Sequence, residues 1–326
     1  MKRSITALIL AVVCLFTAAC ADQTEPTEPT AHTSEPTTEP VATETPAQAE
    51  TTQPTVLDVP WMKLPADRTI TAGQYFVYSC ETGEMVSTNL ADDARIDPGP
   101  ATKVFTAYVA LLYLPPNQII TAGKVLDKVP AEAAVAGIQK KDALTVEQLV
   151  EAMLLSDGND AAWMLAEAAG RMMYGTSRDK VSTDTALKRF LEEMNDQAAL
   201  LGMSGTRFDN PGGLSGAEQY STCGDLAIMA MAALEDPVIL RYAGVHQEEI
   251  VLPGGNLFWN NPNELLDPES QYYCEGCIGL KAGETYLLAA FEYAGQTLIV
   301  GVWDCREGDG RFQDVLQLLN CALGIS

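Results

Sequence analysis

Residues 96–114, IDPGPATKVFTAYVALLYL, set a single lysine, Lys103, in the first turn of an otherwise apolar helical segment. A lysine in that setting serves chemistry or a buried ion pair, because an unpaired ammonium is costly to bury. The chemistry would be that of a general base, an amine taking the proton of a hydroxyl one helical turn away. The residue one turn earlier is Pro100, which has no hydroxyl. Thr102 neighbours Lys103 and so points about 100° away around the helix. Thr106 shares the lysine's face but lies a turn deeper, under the floor of any cleft. Ser156 sits beside Asp157 in a separate segment and reaches the lysine only if its loop is shifted. The chain has two histidines, His32 and His246, which argues against a Ser-His-Asp triad and against most zinc enzymes.

The elements that must position Lys103 can be read from local pattern. Its helix stops at Pro115-Pro116, since proline cannot continue it. GQYFVYSCETGEMVS reads as two short strands, at 74–79 and 84–87, around a Thr-Gly turn. LTVEQLVEAMLLSDGNDAAWMLAEAAG is two helices broken at SDGND, the first opened by a capping box of Thr145 and Gln148. A further helix over 184–201 carries Leu187, Phe190, Leu191 and Met194 at helical spacing. Thr222, with Asp225 three residues on, caps another. TYLLAAFEYAGQTLIVGVWD is a hairpin turning at Ala294-Gly295, followed by a helix over about 310–323. Strands at both ends with helices between them predict an α+β fold. The first strands join the last hairpin in one antiparallel sheet, flanked by helices.

The chain of 326 residues carries a formal charge of −24. That acidity argues against nucleic-acid partners and against simple docking on anionic lipid. Lys2 and Arg3 precede an apolar run that ends LFTAAC, so residues 1–19 read as a lipoprotein signal peptide, with Cys20 the lipidated first residue of the mature chain. Thr17 is a less usual choice than leucine three residues before the cysteine, and a plain secreted form is the alternative. Residues 20–56 are rich in Thr, Pro and Glu and lack Lys and Arg, which predicts a disordered, extended stalk. The expected location is extracytoplasmic, anchored to a membrane by the lipid. The globular domain runs over 57–326.

Beyond Cys14 and Cys20, six cysteines remain: Cys80, Cys223, Cys274, Cys277, Cys305 and Cys321. An even number in an exported chain favours disulfides. CEGC at 274–277 has redox-motif spacing without a thioredoxin-like context, so it reads as half of a local or longer-range disulfide. No metal and no cofactor is implied. Trp61, Trp163, Trp259 and Trp303 read as core or rim packing, and His246 as a surface residue.

Several stretches together resemble one family. They are YFVYSCETGEMV, DPGPATKVFTAYVALL, LTVEQLVEAMLLSDGNDAAWMLAE, LGMSGTRFDNPGGLS, YSTCGDLA and GLKAGET. The body is similar to the D-alanyl-D-alanine carboxypeptidases, low-molecular-mass penicillin-binding proteins with a serine β-lactamase-like fold. The resemblance implies a five-stranded sheet sandwiched by helices and a helical lobe that forms one wall of a cleft. It implies a site built from a helix lysine at Lys103, a lobe asparagine at Asn159, and a strand motif at Lys281 and Gly283, with Thr285 matching a threonine just past it. The natural ligand would be a peptidoglycan stem peptide, its carboxylate held by the strand motif.

The departures from the family pattern fall where the reaction would occur. Pro100 stands at the position of the nucleophilic serine, Asp157 at that of the second serine, and Ala282 at that of the strand threonine. Pro100 also lacks the backbone N–H that serves the family as an oxyanion donor, and losing one such donor costs roughly 3–4 kcal/mol of transition-state stabilisation. The resemblance places Asp157 between Lys103 and Lys281, where its carboxylate would keep both as ammoniums; the plainer alternative is that it caps the following helix. A member that binds stem peptide or a wall partner without cleaving is therefore expected. An active carboxypeptidase with a non-standard nucleophile and a purely structural docking module are the rivals.

Overall fold

The computed structural model describes residues 69–324 apart from 216–217, 254, 294 and 306–307. The signal segment, Cys20, His32, the stalk and Trp61 lie outside the described residues.

A five-stranded sheet forms the body, in the order β2-β1-β9-β8-β7. Its members are β1 (Gln74–Ser79), β2 (Glu84–Thr88), β7 (Cys277–Ala282), β8 (Leu287–Tyr293) and β9 (Gln296–Trp303). Every neighbouring pair is antiparallel. The expected union of the first strands with the last hairpin is β1 on β9, with Phe76 opposite Gly301 and Val77 opposite Val300. Gly295 takes φ +79° at the β8–β9 turn, a conformation that a tight hairpin needs and glycine supplies at little cost.

Successive strand residues point to opposite faces, and both faces are covered. Phe76, Leu288 and Ile299 belong to the larger apolar cluster, together with α1 (Thr102–Leu111), α2 (Val146–Ser156), α3 (Asn159–Met172), α4 (Thr183–Leu200), α5 (Cys223–Leu234) and α6 (Pro237–Ala243). Val77, Leu287 and Val300 belong to a second cluster with Phe312, Val315 and Leu319 of α7 (Gly310–Leu323). The capping box forms as read: Gln148 N–H donates to Thr145 Oγ1 at 3.1 Å, and Thr145 N–H to Gln148 Oε1 at 2.9 Å. Thr222 Oγ1 accepts from Asp225 N–H at 3.2 Å. Two ribbons are additional to the sequence reading: β3 (Ile119–Thr121) with β4 (Ala143–Thr145), and β5 (Gln247–Leu252) with β6 (Gly255–Asn260).

Three expectations are corrected or sharpened. The expected disulfides are absent, for all six body cysteines are free thiols. They lie in different parts of the fold, apart from Cys274 and Cys277, which are neighbours on one turn. Cys223 packs in the larger cluster, Cys274, Cys277 and Cys305 lie behind the sheet, and Cys321 is exposed on the last helix. His246 is half-buried rather than a free surface residue, with Nε2 3.8 Å from Asp267. Trp163, Trp259 and Trp303 are core residues.

Candidate functional site

Lys103 is delivered by a 3-10 turn, Gly99–Ala101, that runs straight into α1. Proline suits this place, because the first turn of a helix has no use for its N–H and its fixed φ is already helical. Pro100 is thus compatible with the fold while removing a hydroxyl and an N–H from the turn. Lys103 is fully buried, and its Nζ donates to Gly212 O at 2.7 Å. The NPGG segment at 210–213 reaches that lysine because Asn210 Oδ1 folds it, accepting from Gly212 N–H at 3.1 Å and Leu214 N–H at 3.0 Å. Gly213 has φ +70°, and a Cβ there would lie 1.9 Å from Gly99 O, so the loop sits directly on the Pro100 turn.

Asp157 ends α2 in the left-handed conformation, φ 59°, which aspartate tolerates better than most residues. That turn carries its carboxylate back into the cleft, where Oδ1 lies 3.1 Å from Lys103 Nζ and 3.2 Å from Lys281 Nζ. It does not cap the following helix: the N-cap of α3 is Gly158, without a side-chain bond. Asn159 opens α3 almost fully buried, with Nδ2 donating to Ala134 O at 2.8 Å. Its Oδ1 has no hydrogen-bond partner and abuts Gly212, where a Cβ would approach to 2.0 Å. Asp160 accepts from the backbone N–H groups of Ala136, Gly137 and Ile138 at 2.9–3.0 Å. It thereby pins the loop whose Ala134 carbonyl holds Asn159.

The third wall is β7, the free edge of the sheet on the cleft side. Its pairing with β8 is irregular between Ile278 and Lys281. Lys281 is fully buried and donates to Leu154 O at 3.3 Å. Ala282 belongs to the apolar cluster behind the sheet, and Thr285 is exposed on the β7–β8 turn. The structure therefore gathers Lys103, Asp157, Asn159 and Lys281 into one cluster beside the Pro100 turn. Ala282 and Thr285 stay outside it.

Burial is the main influence on both lysines. It lowers Lys103 from 10.5 to about 8, with Asp157 opposing the drop and Lys281 adding to it. Lys281 is lowered by burial too, again opposed by Asp157. Asp157 thus favours the ammonium forms, as expected, yet it does not outweigh desolvation, and Lys103 is not a permanent cation. Two buried lysines sharing one carboxylate oxygen leave the cluster short of negative charge whenever both are protonated, a setting for an anionic ligand group. The available hydroxyls do not serve Lys103. Thr106 Oγ1 donates to Pro211 O at 2.7 Å, Ser156 Oγ donates to Ala152 O at 2.8 Å, and Thr102 Oγ1 is buried without a partner. Among the described residues no group of three or more His, Cys, Asp or Glu side chains could hold a metal ion.

The sequence reading missed Asp160, the Gly212 carbonyl and Tyr286. Asp160 was visible as the second acid of SDGND. The Gly212 carbonyl meets Lys103 only through the tertiary fold, whereas Tyr286 folds back on Ala282 and Gly283 of its own short turn.

This geometry has counterparts in known proteins. The family model for D-alanyl-D-alanine carboxypeptidase matches residues 62–301. A D-alanyl-D-alanine carboxypeptidase of Streptomyces sp. (strain K15) is 28% identical over 269 residues, covering 77% of this chain and 87% of that one. One from Bacillus subtilis is 27% identical over 231 residues, and the match covers 68% of this chain but 54% of its relative, about half that protein's length. The crystal structure of the Streptomyces K15 DD-transpeptidase superposes with a TM-score of 0.68 at 28% identity, over 79% of this chain and 98% of that one. A Listeria monocytogenes penicillin-binding protein in its ampicillin-bound form superposes with a TM-score of 0.61 at 26% identity, over 78% and 98%. With the sheet, the helical lobe and most of the sequence length accounted for by these matches, the chain belongs to the D-alanyl-D-alanine carboxypeptidase family.

Proposed function

We propose that this chain is a lipid-anchored, extracytoplasmic protein that binds the carboxylate end of a peptidoglycan stem peptide without cleaving it. The observation that carries the reading is the Pro100 turn. The residue facing Lys103 there has neither a hydroxyl to attack a carbonyl nor an N–H to stabilise the oxyanion. What is left suits binding. Lys281 pairs with a carboxylate, and Lys103 adds positive charge beside it. The stalk over residues 20–56 would hold the cleft away from the membrane, within reach of the wall.

The test is the intact mass of the protein after a large excess of benzylpenicillin, which reports an adduct on any residue. The wild type is expected to keep its mass. A variant carrying Pro100→Ser, Asp157→Ser and Ala282→Thr, which restores all three hydroxyls, is expected to gain one penicillin. A wild-type adduct would overturn the reading in favour of a carboxypeptidase with an unusual nucleophile. Absence of any affinity for N-acetyl-D-alanyl-D-alanine by calorimetry would leave a docking module instead.

A further inference from the structure

We infer that Tyr286 determines access to the lysine cluster: its ring covers Gly283 and must swing out before a ligand carboxylate can reach Lys281. The inference concerns the same cleft and rests on the binding reading only for the identity of the ligand. Gly283 stands two residues beyond Lys281, so the side chain it lacks would project from the lysine's face of the strand. Glycine at such a position lets a ligand approach the backbone closely. Here the chain's own ring takes that space. A Cβ on Gly283 would lie 2.2 Å from Tyr286 Cε1 and 2.9 Å from its Cζ.

The ring is held, not merely parked. Its hydroxyl donates to Ala282 O at 3.2 Å, and the Tyr286 carbonyl accepts from Gly283 N–H at 3.1 Å. Glu284 and Thr285 of the same short turn are exposed, whereas Tyr286 is 7% exposed and packed into the larger apolar cluster. Burial raises the phenol's pKa well above its usual value, and the nearby Asp157 carboxylate raises it further, so the hydroxyl stays a neutral donor beside the ion cluster. Both lysines are fully buried, while the Asp157 side chain that joins them keeps 27% of its surface. Solvent therefore reaches part of the Asp157 side chain but neither its Oδ1 nor the ammoniums behind it.

The experiment measures reductive methylation of Lys281, with formaldehyde and cyanoborohydride on the native full chain, mapped by peptide mass. A cover that is closed most of the time suppresses access by the fraction of time it is open, so Tyr286→Ala is expected to raise the Lys281 rate about tenfold. A rate in Tyr286→Ala close to that of the wild type would overturn the inference. Alkylation of the buried Cys223 by iodoacetamide reports whether the fold has stayed closed. If Tyr286→Ala exposes Cys223, Tyr286→Phe decides. That variant keeps the ring and loses only the bond to Ala282, so an increase of about fivefold is expected, the worth of one buried hydrogen bond, and no increase overturns the inference. Affinity for N-acetyl-D-alanyl-D-alanine separates this inference from the proposed function. Faster methylation with no dipeptide binding in any variant keeps the cover and removes the ligand. Equal dipeptide binding in wild type and Tyr286→Ala, with unchanged methylation, keeps the ligand and removes the cover.

Discussion

Lys103 and Lys281 meet the same oxygen of Asp157, at 3.1 and 3.2 Å, and their protonation follows from the balance of three effects. Burial withdraws water from both ammoniums, each ammonium repels the other, and the carboxylate attracts both. For Lys103 burial is the largest of these, and the outcome is a fall from 10.5 to about 8. Asp157→Asn removes the attraction and leaves the burial, so Lys103 is expected to titrate below 8 in that variant. NMR of isotopically labelled lysine side chains measures this directly, and an unchanged midpoint would mean that the carboxylate does not control the site. The sign for stability follows from linkage. Between pH 8 and 10.5 the unfolded chain holds a proton on this lysine that the folded chain has released, so the lysine's contribution makes stability rise with pH across that window.

At the scale of elements, the site depends on how α3 begins. Asp160 receives the N–H groups of Ala136, Gly137, Ile138 and Ala161, and so ties the preceding loop to the helix start that presents Asn159. Asp160→Ala would leave those donors buried or expel the loop. A loss of about 3 kcal/mol is expected in urea unfolding, since hydrogen bonds to a charged acceptor are among the stronger ones. A loss under about 1 kcal/mol would mean the loop is held by Trp259, whose indole N–H donates to Ala136 O at 2.9 Å. Elements fixed by local rules were legible in the sequence. The capping box at Thr145 and the last hairpin depend on neighbours in the chain, whereas the first helix ends at Leu111, short of the Pro115-Pro116 stop that was expected. The break at SDGND was legible too, while the direction of Asp157 came from the family resemblance and not from local pattern. Aspartate before a helix reads as an N-cap, whereas two lysines brought from distant segments turn it the other way. The β5–β6 ribbon escaped for a similar reason, since Trp259 ties it down through tertiary contacts. The disulfides were misread because an export signal reports a compartment, not the distance between two thiols. Asn159 and Lys281 were marked only by family motifs, for no local rule brings residues 103, 157 and 281 together.

At the scale of the whole molecule, acidity should set the pH of greatest stability. The chain carries a formal charge of −24, and among the described residues Glu151 is a buried carboxyl without an ion pair. Glu151 of α2 is 2% exposed, and its Oε1 has no hydrogen-bond partner. Glu248 of β5 and Glu147 one turn earlier on α2 both face it with like charge. The cation nearby is already engaged: Arg241 of α6 pairs with Glu147, whose Oε1 also accepts from the Tyr242 hydroxyl at 3.1 Å. Burial first, then Glu248 and Glu147, raise Glu151 from 4.5 to about 7. Below pH 4.5 the folded and unfolded chains are both protonated at this residue. From 4.5 to 7 the unfolded chain releases the proton and the folded chain keeps it, so stability falls as pH rises through the window, then stays reduced by a constant amount. General repulsion among the excess acids adds in the same direction. Glu151→Gln removes the titration and keeps the shape, so it should match the wild type at pH 4 and exceed it by about 3 kcal/mol at pH 8. Urea unfolding at the two pH values measures the difference. An equal offset at both would show that the glutamine acts through packing, and that this buried carboxyl does not govern the acid preference of the fold.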